Sequence, residues 1–422
     1  MGALLKSSGQ FRIFLMYDIF STLGNGIFSL FMLLSVHLIY GSALYTGIAA
    51  FLMSVPRIFA FVVGPIVDRS KKVKILRVTT LLEFSALALL TFTPLLQNVG
   101  VMFMFAIIIV MSIAAMFESP TARALLPQII KEDDILPANQ LLNIASAAGG
   151  ILLAILLLVV LDQDNTQLIF GISAGFVAAA FLVSLFVREV NVKTEPTGKT
   201  IQGYLADLTT GIKFLRGNVL KFLFIANVAL VFMGQIAYVS RPAFIEYHAG
   251  AQAYILLAVI GMVGSIFASM VVGPLGKKFK VGQLLLVFYL FAGVARIFFA
   301  LVLPLSFITA LGITIVIAVA LDAVGVVQNT LEQKIPPKDM VGRVDTMDTT
   351  LRAIFTALGA LAGAFIGQVV SDVAYIFIAQ GLIMSLTAIY IILIPAVRKL
   401  PKFNDIAREG NGSDEDANNI GQ

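Results

Sequence analysis

Apolar runs of roughly 20 residues recur along the chain, each closed by a short polar or charged stretch. A run of that length spans the hydrocarbon core of a bilayer as a helix. The runs fall near 12–39, 46–66, 76–95, 100–118, 140–161 and 168–187. After a more polar interval they resume near 221–244, 252–275, 282–303, 305–327, 349–370 and 373–396. The pattern predicts an all-α polytopic membrane protein with twelve transmembrane helices.

The runs are arranged as a repeat. "GPIVDRSKKVKIL" from Gly64 returns as "GPLGKKFKVGQLL" from Gly273, and "LPQIIKEDDILPANQ" from Leu126 is echoed by "LEQKIPPKDMVGRVD" from Leu331. Both pairs are separated by about half the chain, which predicts two pseudo-symmetric six-helix halves, residues 1–187 and 221–397. Between them lies a connector, 188–220. In it Ile201, Leu205, Leu208, Ile212 and Leu215 recur at helical spacing, predicting an amphipathic helix lying on the membrane surface. The tail 398–422 is polar and rich in Gly and Asn, a composition that predicts disorder.

Composition sharpens the picture. The chain is 59% hydrophobic and 13% charged, with mean hydropathy +0.97. A soluble protein carries about a quarter charged residues; with half of that, most of this surface must face lipid. The net charge of +5 reads as topology rather than as affinity for nucleic acid. Arg69, Lys71, Lys72, Lys74 and Arg77 crowd the loop after the second span. Arg123, Lys131, residues 188–221, 277–280 and 334–343 and the tail add bases on the same side. The loops "GSALY", "DQDNTQ", "LPLSF" and "SDVA" hold no Lys or Arg. Positive loops stay in the cytoplasm, so both termini are expected there, in a cell (inner) membrane. The start, "MGALLKSSGQFRIF", is too polar for a cleaved signal peptide.

The chain has no cysteine and two histidines, His37 and His248, near the outer ends of spans. Disulfides, thiolate metal sites and thiol catalysis are excluded, and no metal site is expected. No Gly-Lys-Ser/Thr phosphate loop occurs, which argues against direct ATP drive, and no nucleophile–His–acid set suggests an enzyme.

Ionisable residues inside spans are costly in lipid and mark cavities or partners. Asp18 in the first span, Asp322 in the tenth and Glu83 in the third are the proton-coupling candidates, in that order, with Arg57 in the second span as counter-ion to Asp18 or as an anchor for an anionic group. The alternative for Glu83 and Asp322 is a structural salt bridge or a snorkelling group. Arg241 and Glu246 close the seventh span at its outer end, as an outer gate or as interface anchors. Asn25, Asn227, Gln235 and Tyr238, with Met111 and Phe117 as apolar lining, are candidates for a central substrate cavity. Gly359, Gly363 and Gly367 have the spacing that lets two membrane helices approach closely.

These features together resemble the major facilitator superfamily over nearly the whole chain. Its Gly-x-x-x-Asp-Arg-x-x-Lys/Arg signature is matched by Gly64, Asp68, Arg69 and Lys72. The stretch Ala122–Asn143, "ARALLPQIIKEDDILPANQLLN", resembles the loop before the fifth helix in macrolide- and siderophore-exporting members. Two departures stand out. In the second copy Lys277 replaces the acid of the signature, and the fifth span, "ASAAGGILLAILL", keeps Gly149 and Gly150 but lacks the proline of many drug–proton antiporters. The resemblance implies a cytoplasmic gate of Gly64, Asp68, Arg69 and Lys72. In it Asp68 meets the start of the eleventh span near Asp348–Arg352, and Glu118 is a partner for Arg69 or Arg123. A carboxylate at a helix N-terminus is favoured by roughly 0.3–1 kcal/mol.

The sequence is thus read as a secondary active transporter working by alternating access. It is expected to be a monomer without cofactor, using the proton as coupling ion to export amphipathic small molecules. An importer, facilitator or lipid carrier of the same fold stands beside this reading, as does a transport-inactive membrane sensor. Asp68→Asn is expected to leave the protein folded but impair transport; wild-type rates from the purified variant would end the gating role.

Overall fold

A computed structural model of the chain describes residues 9–59, 63, 66–67, 70–92, 100–130, 135–160, 166–188, 201–337 and 340–406. Six long helices come first: α1 (Gly9–Tyr40), α2 (Ala43–Ile58), α3 (Lys72–Phe92), α4 (Val101–Ile129), α5 (Ile135–Val160) and α6 (Thr166–Ser184). A separate helix, α7 (Ile201–Gly217), occupies the connector. Six more follow: α8 (Leu220–Ala249), α9 (Ala251–Lys278), α10 (Val281–Val302), α11 (Phe307–Lys334), α12 (Val341–Val369) and α13 (Ala374–Leu393), with a short α14 (Pro395–Arg398). Leaving α7 and α14 aside, there is one helix for each of the twelve expected spans, and no strand among the described residues. Nine of them are long and apolar enough by themselves to cross a membrane, among the described residues. Large apolar side chains such as Met102, Ile308 and Val369 stand largely exposed, as a lipid-facing surface requires.

The repeat is visible in the backbone. Gly41 turns α1 into α2 with φ +58°, and Gly250 turns α8 into α9 with φ +82°. Only glycine takes this left-handed conformation without strain. The two glycines are separated by the same number of residues as Gly64 and Gly273. The first connection of each half is therefore the same turn.

By packing, the chain forms two compact units. The first comprises Met1–Ile201 with Val239–Val259 and Ala360–Val369; the second comprises Gln202–Tyr238, Ile260–Gly359 and Val370–Gln422. In the first unit α6 packs against α1 and α3, and α4 against α3 and α2. At Gly24 the α1 backbone comes so close to α6 that an added Cβ would collide with the Val177 side chain, and Ser173 Oγ donates to the Gly24 carbonyl at 2.8 Å. Arg77 at the start of α3 donates to the carbonyls of Ser184, Leu185 and Val187 at 3.1–3.2 Å, capping the end of α6. A base that the charge pattern assigns to topology thus also ties two helices together.

In the second unit α10 packs against α11 and α13, around an apolar core that includes Leu285, Tyr289, Val327 and Leu331. The connector helix packs against this core. Leu215 is buried in it, and Ile212 and Phe214 pack against it. Asp207 pairs with Arg343 at the start of α12, Nε to Oδ1 3.1 Å. Gly211 lies so close that a Cβ would be 2.7 Å from the Arg343 carbonyl oxygen. Of the connector's apolar stripe, Ile212 and Leu215 meet protein, and Gly211 and Asp207 fit closely against Arg343 of α12.

Gly211→Leu is expected to push α7 off α12, and Asp207→Asn to weaken the dock by about 1–2 kcal/mol, since the Arg343 side of the pair stays partly solvated. Thermal unfolding in detergent should show a lower midpoint for both, more so for Gly211→Leu; an unchanged midpoint would mean that α7 contributes nothing to the second unit.

Candidate functional site

Three helices of the first unit converge on a buried polar cluster. On α1, Tyr17, Ser21 and Asn25 are four residues apart and so share one face. On α3, Thr80 and Glu83 share a face three apart, and α4 supplies Glu118. Tyr17, Ser21, Thr80 and Glu83 are all buried, Glu83 fully so.

Glu118 is the best-supported carboxylate of the group. The Tyr17 hydroxyl donates to its Oε1 at 2.5 Å, the Ser21 hydroxyl donates to the same oxygen, and Asn25 Nδ2 donates to Oε2 at 3.2 Å. The same Asn25 nitrogen donates to Glu83 Oε2, also at 3.2 Å. Tyr17 is itself held against Thr80, 3.2 Å from hydroxyl to hydroxyl. The second oxygen of Glu83, Oε1, is buried with no hydrogen-bond partner among the described residues. Two carboxylates therefore meet on one amide. One is wrapped by three donors; the other has a single donor and a bare oxygen.

The expected site residues fall into place unevenly. Glu83 and Asn25 belong to this cluster. Glu118, expected beside Arg69 or Arg123, accepts from Tyr17, Ser21 and Asn25; Arg123 on the next turn is exposed, and Arg69 is outside the described residues. Asp18, half-buried beside Tyr17, lies within electrostatic reach of Glu118. Arg57 is exposed near the end of α2 and makes no ion pair among the described residues, so it is not brought to Asp18 there. Gly64, Asp68 and Arg69 lie outside the described residues; Lys72, the last signature residue, is buried at the start of α3. Asp322 is exposed on α11 and accepts from the Ser265 hydroxyl on α9, where Gly264 packs against Ala318.

Among the cavity candidates, Met111 is buried in α4 and Phe117 is half-buried. Gln235 packs where α8 crosses Gly359 of α12, and Tyr238 is half-buried one turn on. Asn227 is buried and turns its amide oxygen to the guanidinium of Arg352, 2.9–3.2 Å from its nitrogens. At the far end of α8, Arg241 lies over the Tyr254 ring at 5.6 Å, and Glu246 is 3.9 Å from His37 Nε2.

Sequence reasoning missed Tyr17, Ser21 and Thr80, because neutral hydroxyl residues in a span raise no alarm. The signal was there in the four-residue spacing of Tyr17, Ser21 and Asn25. It also missed Glu332 and the role of Arg352, which the span pattern leaves at helix ends.

No curated protein matches the chain. Solved structures do, at low identity. The nucleoside transporter NupG (D323A mutant) aligns with TM-score 0.73 at 13% identity, over 90% of this chain and 99% of that one. An auto-inhibited POT family peptide transporter gives 0.71 at 12%, over 91% and 96%. A D-xylose–proton symporter gives 0.64 at 14%, over 93% and 98%. At such identities these likenesses concern the fold. The family model described as Major Facilitator Superfamily matches residues 14–354, most of the chain and all of the cluster on α1, α3 and α4. The chain is a member of the Major Facilitator Superfamily, a multi-pass membrane transporter.

Proposed function

We propose that the chain is a proton-coupled secondary transporter in which the Glu83–Glu118 pair takes up and releases the coupling proton. The observation that carries this is the shared amide: Glu83 and Glu118 both accept from Asn25 Nδ2. Two carboxylates in a low-dielectric site repel each other when both are ionised, so such a pair is chemically a site for one shared proton. The donors support a division of roles. Glu118, with Tyr17, Ser21 and Asn25 around it, is the stabilised carboxylate. Glu83, with one donor and a bare Oε1, is where the proton sits. Asp18, close enough to act on Glu118, tunes the pair rather than carrying the proton.

The pair is built from three helices, so its protonation bears on how they pack. With the proton on Glu83, Asn25 bridges a neutral acid and a carboxylate. With the proton gone, two negative charges press on α3 and α4 through one amide, and helix rearrangement or rehydration relieves the repulsion. A proton taken up on one side of the membrane and lost on the other then ties the pair to alternating access.

The direction proposed is export, and the cargo amphipathic small molecules. The support is the resemblance of Ala122–Asn143 to the corresponding loop of macrolide- and siderophore-exporting members, and the Met- and Phe-rich composition of the spans. The protein acts as a monomer in the cell (inner) membrane with both termini in the cytoplasm, following the distribution of Lys and Arg.

Glu83→Gln is expected to reduce uphill, pH-gradient-driven accumulation in liposomes at least about tenfold, while exchange of labelled for unlabelled substrate persists. Ethidium, a macrolide and a hydroxamate siderophore are the probes. Asp18→Asn should retain coupling with altered pH dependence. Wild-type accumulation by Glu83→Gln would remove the pair from the coupling step.

A further inference from the structure

The second unit holds a cluster of the same kind, built differently. Arg352 of α12 pairs through Nε with Asp348 one turn before it, and through Nη2 with Glu332 of α11 at 3.5 Å. Asn227 of α8 closes the guanidinium from a third side. Asp348 is 6% exposed, and its Oδ1 has no hydrogen-bond partner among the described residues. A small cavity lies beside these groups. Glu332, Asp348 and Gln328 line it on the polar side, and Leu223 and Met347 on the apolar side. It has room for about one water molecule.

Among the described residues two largely buried carboxylates, Glu332 and Asp348, face one guanidinium, so this buried group carries a net negative charge when both acids are ionised, and the exposed Asp345 adds to the negative side. Asp348 holds the closer pairing with Arg352, and Glu332 holds only the longer one. A largely buried ion group that does not sum to zero is costly, and one further positive charge balances it. A metal cation fits poorly, because the cavity offers three side-chain groups where a hard cation takes six or more oxygens, and Arg352 stands against it. A proton fits. It needs one carboxylate oxygen and a water to deliver it.

We infer that Glu332 is a second proton-binding site, housed wholly in the second unit, with Arg352 and Asp348 as the pair that its protonation leaves neutral. The charged groups acting on Glu332 are Asp348, Arg352 and Asp345, all from α12. From α10, Tyr289 faces Arg352, and its hydroxyl accepts from Gln328 Nε2 at 2.8 Å. From α8 the group facing the cluster is the uncharged amide of Asn227. A protonated Glu332 leaves Arg352 to Asp348 and Asn227; a deprotonated one draws the guanidinium toward α11. The proton thus sets how firmly α12 is held to α11 at this level.

The test needs no substrate, so its outcome is separate from that of the transport assay. Infrared difference spectra between acid and alkaline pH are recorded on the full chain in lipid nanodiscs, reading the C=O stretch of protonated carboxyl groups. Wild type should show the component of a carboxyl that Glu332→Gln loses and Glu83→Gln retains. Glu332→Asp should shift that component instead of removing it, which keeps the test decisive if the Gln variant does not fold. Spectra of Glu332→Gln that superimpose on wild type, or an unshifted band in Glu332→Asp, would overturn the inference.

Discussion

A carboxylate inside a membrane protein must find donors, a counter-charge or a proton, and in the first unit that requirement fixes how three helices meet. Glu118 draws Tyr17, Ser21 and Asn25 to one side of α1, and Asn25 in turn reaches Glu83 on α3. None of these contacts works unless α1 presents residues 17, 21 and 25 on one face, and close approach at Gly24 sets the same helix firmly against α6. Tyr17 belongs to an apolar core with Phe14, Leu76 and Leu125, and Glu83 is fully buried, while Asn25 and Glu118 are partly covered. Burial at Glu83 makes unbalanced charge expensive, and so makes a proton useful.

The second unit solves the same problem with a base. Arg352 supplies the positive charge that the first cluster lacks among the described residues, and Asn227 plays toward the guanidinium the bridging part that Asn25 plays toward the two glutamates. The turn geometry at Gly41 and Gly250 shows that the two halves keep a common backbone plan. Their chemistry has diverged within it. Lys277 standing where the first copy has an acid is the sequence-level sign of that divergence.

Much of the fold was legible because the bilayer imposes a crude rule: runs of about 20 apolar residues must be helices. That rule places the twelve helices. It carries no information on which way a helix faces, so Arg69 and Arg123 are the partners it offers Glu118, and the Tyr17 and Ser21 hydroxyls that donate to its carboxylate go unnoticed. Arg57 is expected as counter-ion to Asp18 or as an anchor for an anionic group, and its side chain is exposed near the end of α2. The connector's apolar stripe predicts a helix, but a stripe cannot say what covers it; the close fit of Gly211 and Asp207 to Arg343 is not legible in the spacing. Ser21 and Tyr17 raise no alarm by residue type, because hydroxyl groups matter here only through their partner; only their four-residue spacing with Asn25 marks them.

The central claim is that proton movement and transport meet at the Glu83–Glu118 pair. The most direct measurement is the lumenal pH of liposomes containing the purified protein, recorded under an imposed pH gradient while amphipathic drugs and siderophores are added in turn. Substrate-triggered proton movement that disappears when both Glu83 and Glu118 are changed to Gln is the predicted result. Proton movement that persists in the double variant would contradict the account, as would transport of a compound by the wild type with no proton movement at all.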